Sequence, residues 1–142
     1  MVAHLLGESE RLHEAPEGVV RFLSGPEEIG RLPPGLRAEL ERALRGGTPV
    51  AAAFVGGVPV SFCYAGWETE GLWDVSIDTR DGYRRRGYAA WCAAYEIRHM
   101  RTLGKQPAWH ALEANTASME LAARLGFVPV DRFLLFESAR SA

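Results

Sequence analysis

Arg84-Arg85-Arg86-Gly87-Tyr88-Ala89 decides how the rest of this sequence is read. It follows an extended-looking run, Leu72-Trp73-Asp74-Val75-Ser76-Ile77, after a polar bend, and it opens a long segment with apolar residues at helical spacing. A turn of small residues between a strand and a helix leaves backbone N–H groups without intrahelical partners. Those donors, with the positive end of the helix dipole, make a cradle for an anion. Gly87 allows close backbone approach, Ala89 keeps the first helical turn narrow, and three guanidinium groups add charge and phosphate-matching donors. A basic cluster at a helix start is unfavourable unless an anion joins it. The stretch therefore reads as a site for a ligand carrying pyrophosphate. The P-loop and dinucleotide patterns are both missing their glycines here.

Elements on either side can be placed from local signals. Residues 1 to 17 carry weak signals and read as a loosely packed lead-in. Val19 to Leu23 reads as a short strand, and Pro33-Pro34 precede an amphipathic helix over residues 35 to 45 that Gly46-Gly47 end. Val50 to Val55 and Val58 to Ala65 flank Gly56-Gly57, the signal of a two-residue hairpin. A strand over residues 72 to 78 leads to the arginine loop. Ala89, Ala93, Ile97 and Met100 then mark a helix running to about Leu103, with Gly104 behind it. Pro107 to Glu113 reads as a strand. Val128 to Val130 and Arg132 to Glu137 read as two closing strands, and the order as a whole is that of a mixed α/β sheet.

Composition sets the bounds. A chain of 142 residues, 47% hydrophobic and 24% charged, suits one domain with a single core. A net charge of −2 gives no general attraction to nucleic acid or anionic membrane, so the basic loop is a local feature. Cys63 and Cys92 sit in apolar surroundings outside any metal-ligand pattern, which reads as buried free thiols in a reducing cytoplasm. No basic leader with an apolar core stands at the N-terminus, and no apolar run approaches the ~18 residues of a membrane span.

A second motif follows the first. In Asn115-Thr116-Ala117-Ser118-Met119-Glu120-Leu121-Ala122-Ala123-Arg124-Leu125-Gly126-Phe127, Asn115 is a good N-cap, and Gly126 stands where a left-handed C-cap is wanted. The two motifs, in this order and spacing, resemble the GNAT acetyltransferase superfamily. The first is similar to its Arg/Gln-x-x-Gly-x-Gly/Ala coenzyme A loop, the second to its Asn-x-x-Ser helix ending in Leu-Gly-Phe. The resemblance covers residues 50 to 137. With Trp73-Asp74-Val75-Ser76-Ile77-Asp78-Thr79 and Pro107-Ala108-Trp109-His110-Ala111, the chain looks closest to a bacterial branch with poorly defined substrates.

The resemblance implies one domain over residues 1–142. Its fold would be GNAT-like, a mixed but mostly antiparallel central sheet flanked by helices, with strands 72 to 78 and 107 to 113 splayed. The gap would admit the pantetheine arm of acetyl-CoA, with Ile77, Arg84, Arg85, Arg86, Gly87, Tyr88, Ala89, Asn115 and Ser118 as the binding set. Backbone N–H groups near Ser76 or Ile77 would hold the thioester oxygen. The second substrate would be an amine, with no metal needed, and a homodimer through the C-terminal strand is a family option. Asp74 is the first choice of base, since strand alternation puts it with Ser76 on one face and Trp73, Val75 and Ile77 on the other. Asp78, Glu113, His110, Glu68 or ordered water are the alternatives. One departure concerns the acid: where many members carry a tyrosine, this sequence has Ala122. Ser118, one turn earlier, is the remaining donor for the leaving sulfur. Trp73 and Trp109 read either as core or as pocket lining. A coenzyme A-binding sensor on the same fold is the competing reading. A nucleic-acid-binding domain using Arg84 to Arg86 is disfavoured by the acidic balance.

Overall fold

In the computed structural model, which describes residues 1–133, the elements run β1 (Val2–Leu6), β2 (Val20–Phe22), a 3-10 turn (Pro26–Ile29), α1 (Pro34–Arg45), β3 (Ala51–Val55), β4 (Val58–Glu68), β5 (Leu72–Thr79), α2 (Tyr88–Thr102), β6 (Gln106–Ala111), α3 (Thr116–Leu125) and β7 (Phe127–Arg132). They form one seven-stranded sheet in the order β2-β3-β4-β5-β6-β1-β7. Every neighbouring pair is antiparallel except β5 and β6. The mixed, mostly antiparallel sheet expected from the sequence is therefore the one observed.

Both faces of the sheet centre are covered, so β3 and β4 read as apolar runs without alternation. Ala51, Ala53, Cys63, Trp73, Val75 and Trp109 pack with Cys92, Ile97 and Met100 of α2 and with Leu121 and Leu125 of α3. Ala52, Phe62 and Tyr64 point to the opposite face, against Leu40 of α1 and Ile29. Gly56 and Gly57, at φ 56° and 80°, make the tight β3–β4 turn that the sequence announced. Trp73 is fully buried, so its indole belongs to the core and does not line a pocket.

The N-terminus differs from its expected reading. It is no loose lead-in: β1 lies between β6 and β7, pairing Val2 with both Ala111 and Arg132. Gly7 N–H donates to Gly126 O and Arg11 N–H to Leu125 O, each at 2.9 Å. Gly126 has φ 94°, and a Cβ there would stand 2.5 Å from Glu10 Cα, so α3 ends flush against this segment. A five-residue strand whose partners lie more than a hundred residues away has no local signature. The closing strands also differ, since β7 runs without a break over Phe127–Arg132. Pro129 is accommodated because β7 is an edge strand. The reading of Leu134 to Glu137 as strand, and of that strand as a dimer edge, falls outside the described residues.

The feature that positions the site is a fork. Parallel pairing of β5 with β6 holds only from Leu72↔Gln106 to Asp74↔Ala108. Both strands then continue separately, β5 to Thr79 and β6 to Ala111.

Candidate functional site

A cleft of about 460 Å³ runs from the start of α2 into this fork. Ile77 and Thr79 line it from β5, Arg84, Arg85, Gly87, Tyr88 and Ala89 from the loop and α2, and Trp109, Asn115, Ser118 and Arg124 from the other side.

The loop's backbone turns through several left-handed residues. Gly82, Arg85 and Gly87 have φ of 88°, 62° and 89°, and Arg85 is the one non-glycine with positive φ among the described residues. Alternating left-handed and right-handed residues turn successive N–H groups to one side and form an anion-binding nest. A left-handed arginine is strained, and such strain clusters at binding sites. Helix α2 begins at Gly87 with no side-chain cap, whereas Asn115 Oδ1 caps α3 by accepting from Ser118 N–H at 3.1 Å. The first N–H groups of α2 therefore remain available, at the positive end of a 15-residue helix.

The strand edge supplies more donors. Arg80 N–H donates to Val60 O at 2.8 Å, and the β4–β5 register is continuous from Ser61↔Thr79 to Ala65↔Val75. In an antiparallel ladder, N–H direction alternates residue by residue. Asp78 and Ser76 thus direct their N–H groups at β4, while Ile77 and Thr79 direct theirs into the fork. Of the two backbone donors expected near the thioester, Ile77 points its N–H into the fork and Ser76 points its N–H at β4.

The side chains are distributed unevenly. Arg84 and Arg85 line the cleft, and Arg84 also reaches Asp81 at 3.4 Å. Arg86 is not among the lining residues; its guanidinium lies 5.8 Å from the Tyr83 ring centre. Ser118 Oγ accepts from Trp109 Nε1 at 3.0 Å, which leaves its own O–H proton to donate. Ala122 is fully buried, so nothing replaces a tyrosine hydroxyl at that position.

Asp74 lies where β5 and β6 part, and its Oδ1 is 2.7 Å from His110 Nδ1 on β6. Burial pushes the Asp74 carboxyl above the usual range, and the His110 contact pulls it back. Neither Asp74 nor His110 lines the cleft itself, whereas Asp78 does, and burial together with Glu39 raises the Asp78 carboxyl. The Tyr64 hydroxyl is 3.1 Å from both Asp78 Oδ2 and Glu39 Oε2, and burial beside those charges keeps the phenol protonated. The other expected candidates for a base are engaged elsewhere: Glu68 with Lys105 at 2.9 Å, and Glu113 with Arg132 at 2.6 Å. Sequence reading did not find Arg124 or Tyr83 in the cleft, or the Trp109–Ser118 bond. None carries a motif, and each is brought in by the packing of α3 on β6 or by the loop.

The family model described as GNAT acetyltransferase matches residues 51–136. Comparison with curated protein sequences finds no match. Among solved structures, an acetyltransferase assigned to the GNAT family from Novosphingobium aromaticivorans superposes with TM-score 0.67 at 18% identity, over 91% of this chain and 59% of that one. Aminoglycoside N-acetyltransferase AAC(6')-Iy, in complex with CoA, gives TM-score 0.67 at 21% identity, over 85% of this chain and 99% of that one. The protein yncA from Salmonella typhimurium, described as an acetyltransferase and solved with acetyl-CoA, gives 0.57 at 22%, over 66% and 58%. The chain thus spans about three-fifths of the length of the first of these, and at such identities the likeness is one of fold.

Proposed function

The chain belongs to the GNAT acetyltransferase family, and from that premise we propose that it is an acetyl-CoA-dependent N-acetyltransferase acting on an amine. One observation carries the reading. The uncapped, positively polarised start of α2 and the unpaired edge of β5 lie in a single continuous cleft. A pyrophosphate suits the first and an extended amide-bearing arm suits the second, because its amides can pair with a strand edge. That two structurally similar proteins hold CoA or acetyl-CoA supports the choice of ligand.

In this reading the N–H groups of Arg85 to Ala89 hold the pyrophosphate, with Arg84, Arg85 and Arg86 supplying charge. Ile77 N–H faces the position of the thioester oxygen and stabilises it as negative charge develops. Asp74, where β5 and β6 part, stands at the acceptor end in the same reading. Bringing two reactants together in the fork supplies much of the acceleration. Two free, buried thiols fit a reducing cytoplasm.

The loss of a tyrosine at Ala122 favours a second reading, a coenzyme A-binding sensor that transfers nothing. Release of free thiol from acetyl-CoA, followed across a panel of primary amines, separates the two. Amine-dependent release supports the transferase; tight CoA binding with no release above background supports the sensor.

Ser118 gives a further expected result. Its hydroxyl is oriented by Trp109 and free to donate, so Ser118→Ala should lower kcat about tenfold, the worth of one hydrogen bond to a developing charge. Affinity for CoA should stay near wild type. Steady-state kinetics beside calorimetry check this; unchanged kcat would leave Ser118 a purely structural partner of Trp109 and Asn115.

A further inference from the structure

We propose that His110 is the base that accepts the acceptor amine's proton, and that Asp74 is a positioning residue that fixes the His110 ring. The proposal rests on the acetyltransferase reading above and assigns the proton transfer within it. Asp74 belongs to the last β5–β6 pair, Asp74↔Ala108, and meets His110, two residues further along β6, where the fork opens. They sit on the sheet face opposite α2, where the Cα register sets His110 beside Ala3 and Ala3 beside Asp131.

Three observations assign the roles. First, the 2.7 Å contact occupies Nδ1. A carboxylate can only accept, so the shared proton sits on Nδ1, and the neutral ring then presents a lone pair at Nε2. Among the described residues Nε2 has no hydrogen-bond partner. Second, the space around Asp74 is tailored to hold its carboxylate in place. A Cβ on Gly66 would lie 3.0 Å from Asp74 Oδ2 and 2.6 Å from Ser76 Oγ, so only glycine leaves room on that side. With Oδ1 bonded to the ring and Oδ2 against Gly66, the carboxylate is poorly placed to receive a substrate proton. Third, the imidazole is flanked by exposed aromatics, Trp67 with its ring centre at 5.9 Å and Phe133 at 6.2 Å. Aromatic rings attract an ammonium group arriving at the imidazole.

His110 Nε2 takes one proton from R–NH3⁺, and the freed nitrogen lone pair attacks the thioester carbon. The C–N bond forms, the C–S bond breaks, and its electron pair leaves on sulfur. The second proton shed by nitrogen converts that thiolate to thiol, and His110 returns its own proton to solvent. The titratable groups facing His110 are Asp74 from β5 and, one strand beyond Ala3, Asp131 from β7. The neighbours from β4 and from the segment after β7, Trp67 and Phe133, do not titrate.

The test uses the full chain and two acceptors, ethylamine, which is protonated at neutral pH, and hydroxylamine, which is not. His110→Gln should lower transfer from acetyl-CoA to ethylamine by about 10²–10⁴-fold. Transfer to hydroxylamine, whose nitrogen needs no deprotonation before it attacks, should be spared. Asp74→Asn should lower ethylamine transfer as well while sparing hydroxylamine, because the ring is no longer held with its proton on Nδ1. Nitrogen NMR of the wild-type ring should find Nδ1 protonated and Nε2 bare, with that preference lost in Asp74→Asn. Equal losses on both acceptors, or an Nε2–H tautomer in the wild type, would overturn the assignment. A wild type that acetylates neither acceptor would overturn the acetyltransferase reading instead, and the assignment with it.

Discussion

Gly87→Asp should abolish binding of coenzyme A. At Gly87 the backbone has φ 89°, and a Cβ built there meets nothing closer than the Trp91 ring at 3.9 Å. Space is therefore not the obstacle. The new carboxylate is. It would stand at the uncapped start of α2 and cap the N–H groups that the pyrophosphate needs, while repelling the phosphate itself. Losing two charge-assisted hydrogen bonds weakens binding by about 3–6 kcal/mol, or roughly 10²–10⁴-fold. Gly87→Ala separates conformation from charge, since it carries the left-handed strain of about 1–2 kcal/mol without the anion. Calorimetry should rank wild type above Gly87→Ala and that variant well above Gly87→Asp. Arg84→Ala should weaken binding less than Gly87→Asp, because the backbone donors survive.

Glu96→Gln should stabilise the protein at alkaline pH and change little near pH 5. Glu96 sits on α2 with no exposed surface; its Oε2 accepts from Ala51 N–H at 3.2 Å, and its Oε1 has no partner. Burial pushes its carboxyl up to about 8. A group whose folded pKa is raised lends its full stability below the unfolded value near 4.5. That stability is lost as pH rises through 8. At 1.36 kcal/mol for each pH unit, the loss reaches about 4–5 kcal/mol as an upper bound. The raised carboxyls of Asp74 and Asp78 are present in both proteins, so the difference between them isolates Glu96. Melting curves from pH 5 to 9 should diverge, with Glu96→Gln the more stable above pH 8. Parallel curves would mean that Glu96 is ionised with a partner or is reached by water.

These two residues also mark what a sequence can and cannot disclose. Gly87 was legible because its chemistry is local: a strand, a turn and a helix start contribute consecutive backbone groups, and the arginines advertise their charge. Asn115 and Gly126 were legible for the same reason, as caps of a short helix. Glu96 was not, since a carboxyl within a helix ordinarily reads as solvated, and only the packing of α2 on β3 buries it. Val2 to Leu6 gave no hint of an interior strand because its partners are Ala108 to Ala111 and Phe127 to Arg132. Likewise Asp74 and His110 each stood as separate candidates. Their pairing is a property of the β5–β6 register, which spacing alone does not reveal. From the sequence alone Asp74 reads as a base in its own right, whereas the 2.7 Å contact places an imidazole beside it.

The most direct measurement is a backbone-amide NMR titration of the wild-type chain with coenzyme A. Shifts are expected at Arg85 to Ala89, at Ile77 and Thr79 on the open edge of β5, and at Asn115 to Ser118. Asp78 and Ser76, whose N–H groups face β4, should respond less than their neighbours. Saturation without perturbation at Arg85 to Ala89, or perturbation centred on the α1 face of the sheet, would contradict the placement of the ligand in the fork.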